Sequence, residues 1–321
     1  MFTRTFFKLF PPPKFLNLPY AGLDISDDAI HVVEYTRGSH GYTIHRFGKR
    51  DLAPGVVESG YIRDEKALTE AVTSLAKELK LSTIKASLPE ERMYLFKTDV
   101  PTTDPDQIRQ NIEFKLEENV PLKPADAVFF ADLLSTKGEK NTVSVSVAPR
   151  ELVNRYLKVF QSSGLSVMSL EIQAKAIARA SVPRDSLETV LLVHIMNKKT
   201  GLYVIANGIT CFTSTILWGG EVVRGKNPND LSDEIFSLRR EIDRVYKYWG
   251  EHGEGEPIKE IIVSGHDAVL VSQISHISPD PRIPLVIAQV WQNVFSGDHY
   301  IAPIPFEESL DYAVAAGLAL P

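Results

Sequence analysis

Apolar and polar residues alternate along this chain with two periods, near two in some stretches and near 3.6 in others. The order of the changes divides the chain in half. Ala21 to Tyr35 reads as strand, tight turn, strand: Gly22–Ile25, then Ser26-Asp27-Asp28, then Ala29–Tyr35, rich in β-branched residues. A third strand at Tyr42–Phe47 follows across the turn Gly38–Gly41. The same build returns at Thr189–Leu217. There the pattern predicts strands at Val190–Ile195 and Gly201–Ala206, the turn Met196–Thr200 between them, and a third strand at Ile209–Leu217 after the hairpin signal Asn207-Gly208. Each meander runs on into helical sequence, so two similar units lie roughly half the chain apart.

Between the meanders the period changes several times. Asp64 is placed to cap a helix whose Leu68, Ala71, Val72, Leu75, Ala76 and Leu79 share one face. Lys85–Leu88 and Arg92–Val100 read as strands. Asp104-Pro105-Asp106-Gln107 opens a second helix, with Pro at its first position and Gln at the capping-box position. That helix turns Ile108, Ile112 and Leu116 inward and stops at Pro121. Ala127–Leu134 and Thr142–Ala148 form a hairpin, with Val143, Val145 and Val147 alternating against Ser144 and Ser146. A helix at Glu151–Gln161 closed by Gly164, a strand at Leu165–Ile172 and a helix at Ala174–Ala180 return the chain to its first unit. In the second half Leu231, Ile235, Leu238, Ile242, Val245 and Trp249 define a long amphipathic helix. Ile261–Gly265 is a buried strand, Asp267–Ile274 is compatible with a helix, and Ser309–Leu320 is a helix of small residues.

These elements predict an arm at 1–20, a first lobe at 21–185 with an inserted α+β subdomain at about 50–164, and a second lobe at 186–321. A bilobed α/β protein of this kind, with two related meander-and-helix halves, is similar to the actin, Hsp70 and sugar-kinase architecture, in which each turn grips nucleotide phosphates.

Composition narrows the picture. The 321 residues are 44% hydrophobic and 24% charged, an ordinary globular balance with room for two cores. A formal net charge of -6 argues against a general nucleic-acid binder. The single cysteine, Cys211, excludes an intramolecular disulfide and a cysteine-based metal site, and reads as a small buried hydrophobe. The eight histidines show no metal spacing. No apolar run approaches the roughly 18 residues of a spanning helix, so a cytoplasmic protein is expected. The first ten residues differ from the rest: Phe2, Phe6, Leu9 and Phe10 share a helical face, with Arg4 and Lys8 and no acid. Two readings stay open for them, a plain linker or a weak amphipathic contact with a membrane surface.

Five stretches carry a more specific resemblance. GLDI with AIHVVE, FKLEENVPLKP, LWGGE, IIVSG and the terminal DYAVAAGLAL occur in an order and spacing that resemble the type IV pilus assembly protein PilM family, relatives of the cell-division protein FtsA. The resemblance runs from Tyr20 to Pro321. It implies an actin-like fold with its insertion placed as Arg50–Gly164 are here. It also implies docking onto the short cytoplasmic tail of the inner-membrane protein PilN, among other platform proteins at the inner face of the cytoplasmic membrane.

Against that family the presumed nucleotide positions are altered. The first phosphate turn of the family, approximately D-I-G-S-S-S-x-K, keeps Asp24, which would organise a metal if Mg-ATP binds, but continues Ser26-Asp27-Asp28-Ala29 with His31 where the lysine would stand. A carboxylate 4 Å from one phosphate charge costs about 4 kcal/mol at an effective dielectric near 20, roughly three decades of affinity. Asp27-Asp28 otherwise reads as a solvated turn. The second turn is His194-Ile195-Met196-Asn197-Lys198-Lys199-Thr200, without the family's acid; Lys198 or Lys199 could offset charge or simply be solvated. Gly219-Gly220 and Ser264-Gly265-His266 complete the cleft positions, the last with bulk where a glycine would allow close approach. The cleft set is therefore Asp24, Ser26, Asp27, His31, Gly219, Gly220, Ser264 and Gly265, with no cofactor or weakly held ATP and magnesium.

The inserted subdomain offers another surface. Leu95, Phe96, Phe114, Val128, Phe129 and Phe130 crowd two strands and a helix, and adjacent Phe129 and Phe130 must face opposite sides of a strand. Leu95, Phe114, Phe129 and Phe130 are the expected contacts for a linear peptide, with packing under the helix as the plainer alternative. Three functions compete: a pilus or secretion scaffold with a weak nucleotide site, a working ATPase of the same fold, and a sugar or acetate kinase relative. The last would need a general-base carboxylate facing an intact phosphate site, which the sequence does not offer. Self-association is left open.

Overall fold

The computed structural model describes residues 19–38, 41–101, 104–137, 140–226, 232–252, 256–272, 277–295 and 299–320. The amphipathic face and membrane contact expected of residues 1–10, Leu231, and the Gly253–Gly255 loop lie outside them.

Each half is built on one five-stranded sheet. In the first, β1 (Ala21–Ile25), β2 (Ala29–Gly38) and β3 (Gly41–Asp51) form an antiparallel meander. After a short ribbon of β4 (Val57–Glu58) and β5 (Tyr61–Ile62), β6 (Thr83–Leu88) adds parallel to β1, and β10 (Ser166–Ile172) adds parallel to β6. In the second, β11 (Val190–Ile195), β12 (Thr200–Ala206) and β13 (Ile209–Ile216) repeat the meander, while β14 (Glu260–Gly265) and the short edge strand β15 (Leu285–Ile287) add in parallel. The orders β10-β6-β1-β2-β3 and β15-β14-β11-β12-β13 follow one scheme, so the repeat legible in the meanders extends to the whole of both sheets. β1 and β11 are buried along their entire length, as strands covered on both faces must be.

Two helices cover one face of the first sheet. α1 (Glu65–Leu79) is capped by Asp64, whose carboxylate accepts the Ala67 amide at 2.9 Å, and ends on a left-handed Lys80. α3 (Arg150–Ser162) lies beside it, and Leu68, Val72, Leu75, Tyr156 and Phe160 join Ile30 and Val32 in one core. In the second lobe α5 (Ser232–His252) buries Leu238, Ile242 and Trp249 against its sheet. Between the lobes α4 (Gln173–Ser181) packs against the C-terminal α8 (Ala313–Ala319). α8 also lies on β1 of the first lobe, although it follows the second in sequence. Its small residues permit this: a Cβ on Gly22 would meet the Ala315 carbonyl oxygen at 2.0 Å.

The insertion is narrower than the 50–164 expected. β7 (Tyr94–Val100), β8 (Ala127–Lys137) and β9 (Lys140–Pro149) form a separate sheet of order β7-β9-β8, covered on one face by α2 (Pro105–Asn119). Ile112, Leu116, Val143, Val145 and Val147 make its core. α1, β6, α3 and β10 belong instead to the first lobe, because β6 supplies the backbone partners that β1 would otherwise lack on that side, and β10 those of β6. Cys211 is only partly covered, since β13 is the edge of its sheet. Among the described residues no helix is long and apolar enough to cross a membrane.

Candidate functional site

The two meander turns face each other across a cleft of about 240 Å³ between the lobes. Asp24 at the end of β1 and His194 near the end of β11 occupy matching places in the two halves, and both line the cleft. Asp24 is buried, and its Oδ1 accepts hydrogen bonds from Ser87 Oγ at 2.5 Å and Gln173 Nε2 at 3.0 Å. His31 faces it from β2, with its ring edge-on to Tyr312 at 5.0 Å. Neither ring nitrogen of His31 has a hydrogen-bond partner among the described residues, and the same holds for Nδ1 of His194. Burial lowers the pKa of both imidazoles, that of His194 to about 4, so both are neutral near pH 7.

The backbone donors that could cradle an anion are largely spent within the protein. In the first turn Ser26 Oγ accepts the amides of Asp28 and Ala29 at 3.3 and 3.0 Å, and the Ser26 amide donates to the Ala29 carbonyl. In the second, the Met196 amide donates to Lys199 O, while the Gly220 and Glu221 amides donate to the carbonyls of Met196 and Asn197. Gly219 is small for the protein's own sake, since a Cβ there would sit 2.3 Å from the Asn197 carbonyl oxygen. A Cβ on Gly220 would meet Asp267 Oδ2 at 2.3 Å. Gly265 takes a φ of +87° and lies against Ile195 O and the His194 ring; the neighbouring Ser264 hydroxyl is buried and has no partner among the described residues. At the rim Arg224 bridges Asn197 and Asp267 at 3.1 and 3.0 Å. His266 pairs with Asp311 at 3.2 Å, and that contact raises the His266 pKa. Among the described residues no three His, Cys, Asp or Glu side chains are grouped so as to hold a metal ion.

Of the expected cleft set, Asp24, Ser26, His31 and Gly265 line the cleft, whereas Gly219, Gly220, Ser264 and Asp27 are not part of its lining. Asp27 is engaged elsewhere. Its carboxylate oxygens accept the amides of Ser59 and Gly60 at 3.0 Å each, and Oδ2 also pairs with Lys199 at 3.2 Å. Lys199, expected as offsetting charge or as a solvated turn residue, is buried and reaches Glu91 as well. Glu91 escaped the sequence reading, because the turn Glu90–Arg92 that carries it joins two strands assigned there to the insertion.

The aromatic residues of the small sheet divide between its faces. Phe129, Val147 and Tyr94 stand in one cross-strand row, and Phe129 packs toward the core under α2 with the Arg109 guanidinium 5.9 Å over its ring. Phe130, Ser146 and Leu95 form the next row on the opposite face. That face turns toward the second lobe, where Ser144 Oγ donates to Thr210 O and Lys97 lies over Trp249. Phe130 is 60% exposed beneath the Lys175 ammonium, and Phe114 is 84% exposed on α2. A groove of about 490 Å³ runs between α2 and the free edge of β8, lined by Ile108, Ile112, Phe129, Phe130 and Arg150; Phe114 and Leu95 lie outside its lining. Arg150 fixes the start of β8 by donating to Ala125 O and Ala127 O, and borders a second groove of about 790 Å³ between the insertion and the first lobe.

Two lobes of one strand order, a cleft between their turns and an inserted subdomain define an actin-like α/β protein. The family model described as type IV pilus assembly protein PilM matches residues 22–230, well over half of the chain, and the chain belongs to that family. Among solved structures, the PilM-PilN type IV pilus biogenesis complex superimposes with a TM-score of 0.78 at 17% identity, covering 94% of this chain and 98% of that one. Ethanolamine utilization protein EutJ from Carboxydothermus hydrogenoformans gives 0.51 at 16% identity, over 96% and 90% of the chains. The cytoplasmic domain of EpsL, an inner-membrane component of the type II secretion system of Vibrio cholerae, gives 0.50 at 13% identity, over 85% and 86%. At such identities these likenesses carry the fold.

Proposed function

We propose that this chain is a cytoplasmic scaffold of the type IV pilus platform at the inner membrane, which captures the N-terminal tail of a PilN-like protein and grips nucleotide weakly or not at all. Family membership and the fold shared with the PilM-PilN complex support the partner class. The observation that carries the reading is the groove at β8. Among the described residues one side of β8 has no strand neighbour, and apolar side chains of α2 lie across from it. An extended tail entering there gains main-chain hydrogen bonds along the strand edge and anchors alternate side chains near Phe129. Ordering a free tail costs conformational entropy, so the affinity is modest.

The nucleotide half of the proposal rests on the cleft. A triphosphate would meet Asp24, Asp28, Asp51 and Asp311 against Lys49, Arg224 and His266, whose pKa Asp311 raises, with His31 and His194 neutral and amides already engaged, so the acids outnumber the cations. Magnesium-nucleotide does not fit these residues well. The test is titration of a labelled N-terminal tail peptide from the PilN-like protein of the same organism. Saturable binding without ATP, weakened by Phe129→Ala or Arg150→Ala, supports the proposal. Failure of every such tail to bind, together with ATP turnover, would favour the working ATPase.

A further inference from the structure

We infer that Lys199 is an internal latch: its ammonium, supplied by the second lobe, pairs with Asp27 and Glu91 of the first outside the cleft lining, and holds the lobes in one relative position without a bound ligand. The three residues come from separate parts of the fold. Lys199 lies in the turn between β11 and β12, Asp27 in the turn between β1 and β2, and Glu91 in the 3-10 turn Glu90–Arg92 after β6. Lysine is almost never fully buried unless paired, and this one has both carboxylates. The excess negative charge of one lysine between two acids is offset by the Ser59 and Gly60 amides donated to Asp27.

The same 3-10 turn is fastened a second time. Glu90, also buried, accepts the Ala174 amide at the start of α4 at 3.0 Å, and β13 of the second lobe packs against the turn that carries it. The turn thus meets the second lobe at Lys199 through Glu91 and at β13 by packing. Because Lys199 is buried and the side chains of its two partners are only 16% and 12% exposed, salt screens the triad little. Lys199 lies outside the cleft lining, so its charge is spent on these two carboxylates rather than offered to an anion between the turns. The latch does not rest on peptide docking at β8 and stands or falls separately from it.

Pulsed electron paramagnetic resonance on the full chain tests it, with Cys211→Ser as background and nitroxides on cysteines replacing the exposed Lys66 of α1 and Lys247 of α5. A narrow distance distribution is expected in the parent, unchanged by millimolar Mg-ATP. Lys199→Met should broaden it and populate longer distances. Glu91→Gln, which leaves Asp27 to hold the lysine, should broaden it less and guards against misfolding of the first variant. Hydrogen exchange at the Ser59 and Gly60 amides should quicken about tenfold in Lys199→Met, as a region loosened locally does. A folded Lys199→Met or Glu91→Gln protein with the parent's distribution would overturn the latch. So would a parent distribution that narrows or shifts on adding Mg-ATP.

Discussion

Gly317 of α8 lies so close to Ala176 of α4 that a Cβ placed on it would stand 1.8 Å from the Ala176 carbonyl oxygen. The contact joins the two helices between the lobes, and backbone rather than a flexible side chain forms the obstacle. Gly317→Ala should therefore destabilise by about 3 kcal/mol, at the upper end for an overpacked core. Gly250 in α5 is the control, because a Cβ there meets nothing within 4 Å. Gly250→Ala should stabilise by roughly 0.5–1 kcal/mol through helix propensity. Urea unfolding of the two variants checks both signs, and a Gly317→Ala protein as stable as the parent would contradict the packing described.

Lys199 should behave unlike a surface lysine. Lys199→Met leaves Asp27 and Glu91 facing each other without their cation, and should cost about 3–5 kcal/mol. Lys66→Met, on the exposed side of α1, should change stability by no more than roughly 0.5 kcal/mol. Denaturation at low and high salt is the measurement; a Lys199 effect that vanishes in salt would mark it as an ordinary surface pair.

Two buried groups titrate with opposite slopes. Burial pushes Glu90 up from 4.5 to about 7, so between those values the folded state holds a proton that the unfolded chain has lost, and stability falls as pH rises through the window. The difference corresponds to roughly 3 kcal/mol. Burial lowers His194 from 6.5 to about 4, so the unfolded chain binds the extra proton there, and stability is lost as pH falls through that window. The two offset each other in the parent. Glu90→Gln, which keeps the neutral form at every pH, should gain on the parent by roughly 3 kcal/mol between pH 4.5 and 7. Thermal unfolding across that range checks it, and a difference independent of pH would refute the assignment.

The cleft gives a nucleotide prediction that separates the two turn acids. Calorimetry should detect weak ATP binding with magnesium or none, and micromolar affinity would sink the weak-nucleotide reading. Asp28 and His31 line the cleft whereas Asp27 does not. Asp28→Ser with His31→Lys should therefore raise affinity. Adding Asp27→Ser should instead loosen the contact with Lys199 and leave affinity no better.

Much of the architecture was legible because periodicity reports which face of an element is buried. The two meanders, the Asp64 cap and the opposed sides of Phe129 and Phe130 all follow from residue spacing, and the actin-like class follows from their repetition. Periodicity does not say against what a face is buried. The reading of Lys85–Leu88 and Leu165–Ile172 as strands matched the structure, but their pairing with β1 and with each other, which moves them out of the insertion, is decided by backbone partners far apart in the chain. Leu95 and Phe114 looked like companions of Phe129 by composition, and cross-strand register together with helix placement put them elsewhere. Lys199 is the clearest case. A lysine following another lysine in a turn reads as solvated, and nothing local contradicts that. Its ion pairs span 172 and 108 residues of sequence, so its burial exists only once two lobes have folded and met, and tertiary structure alone could assign it.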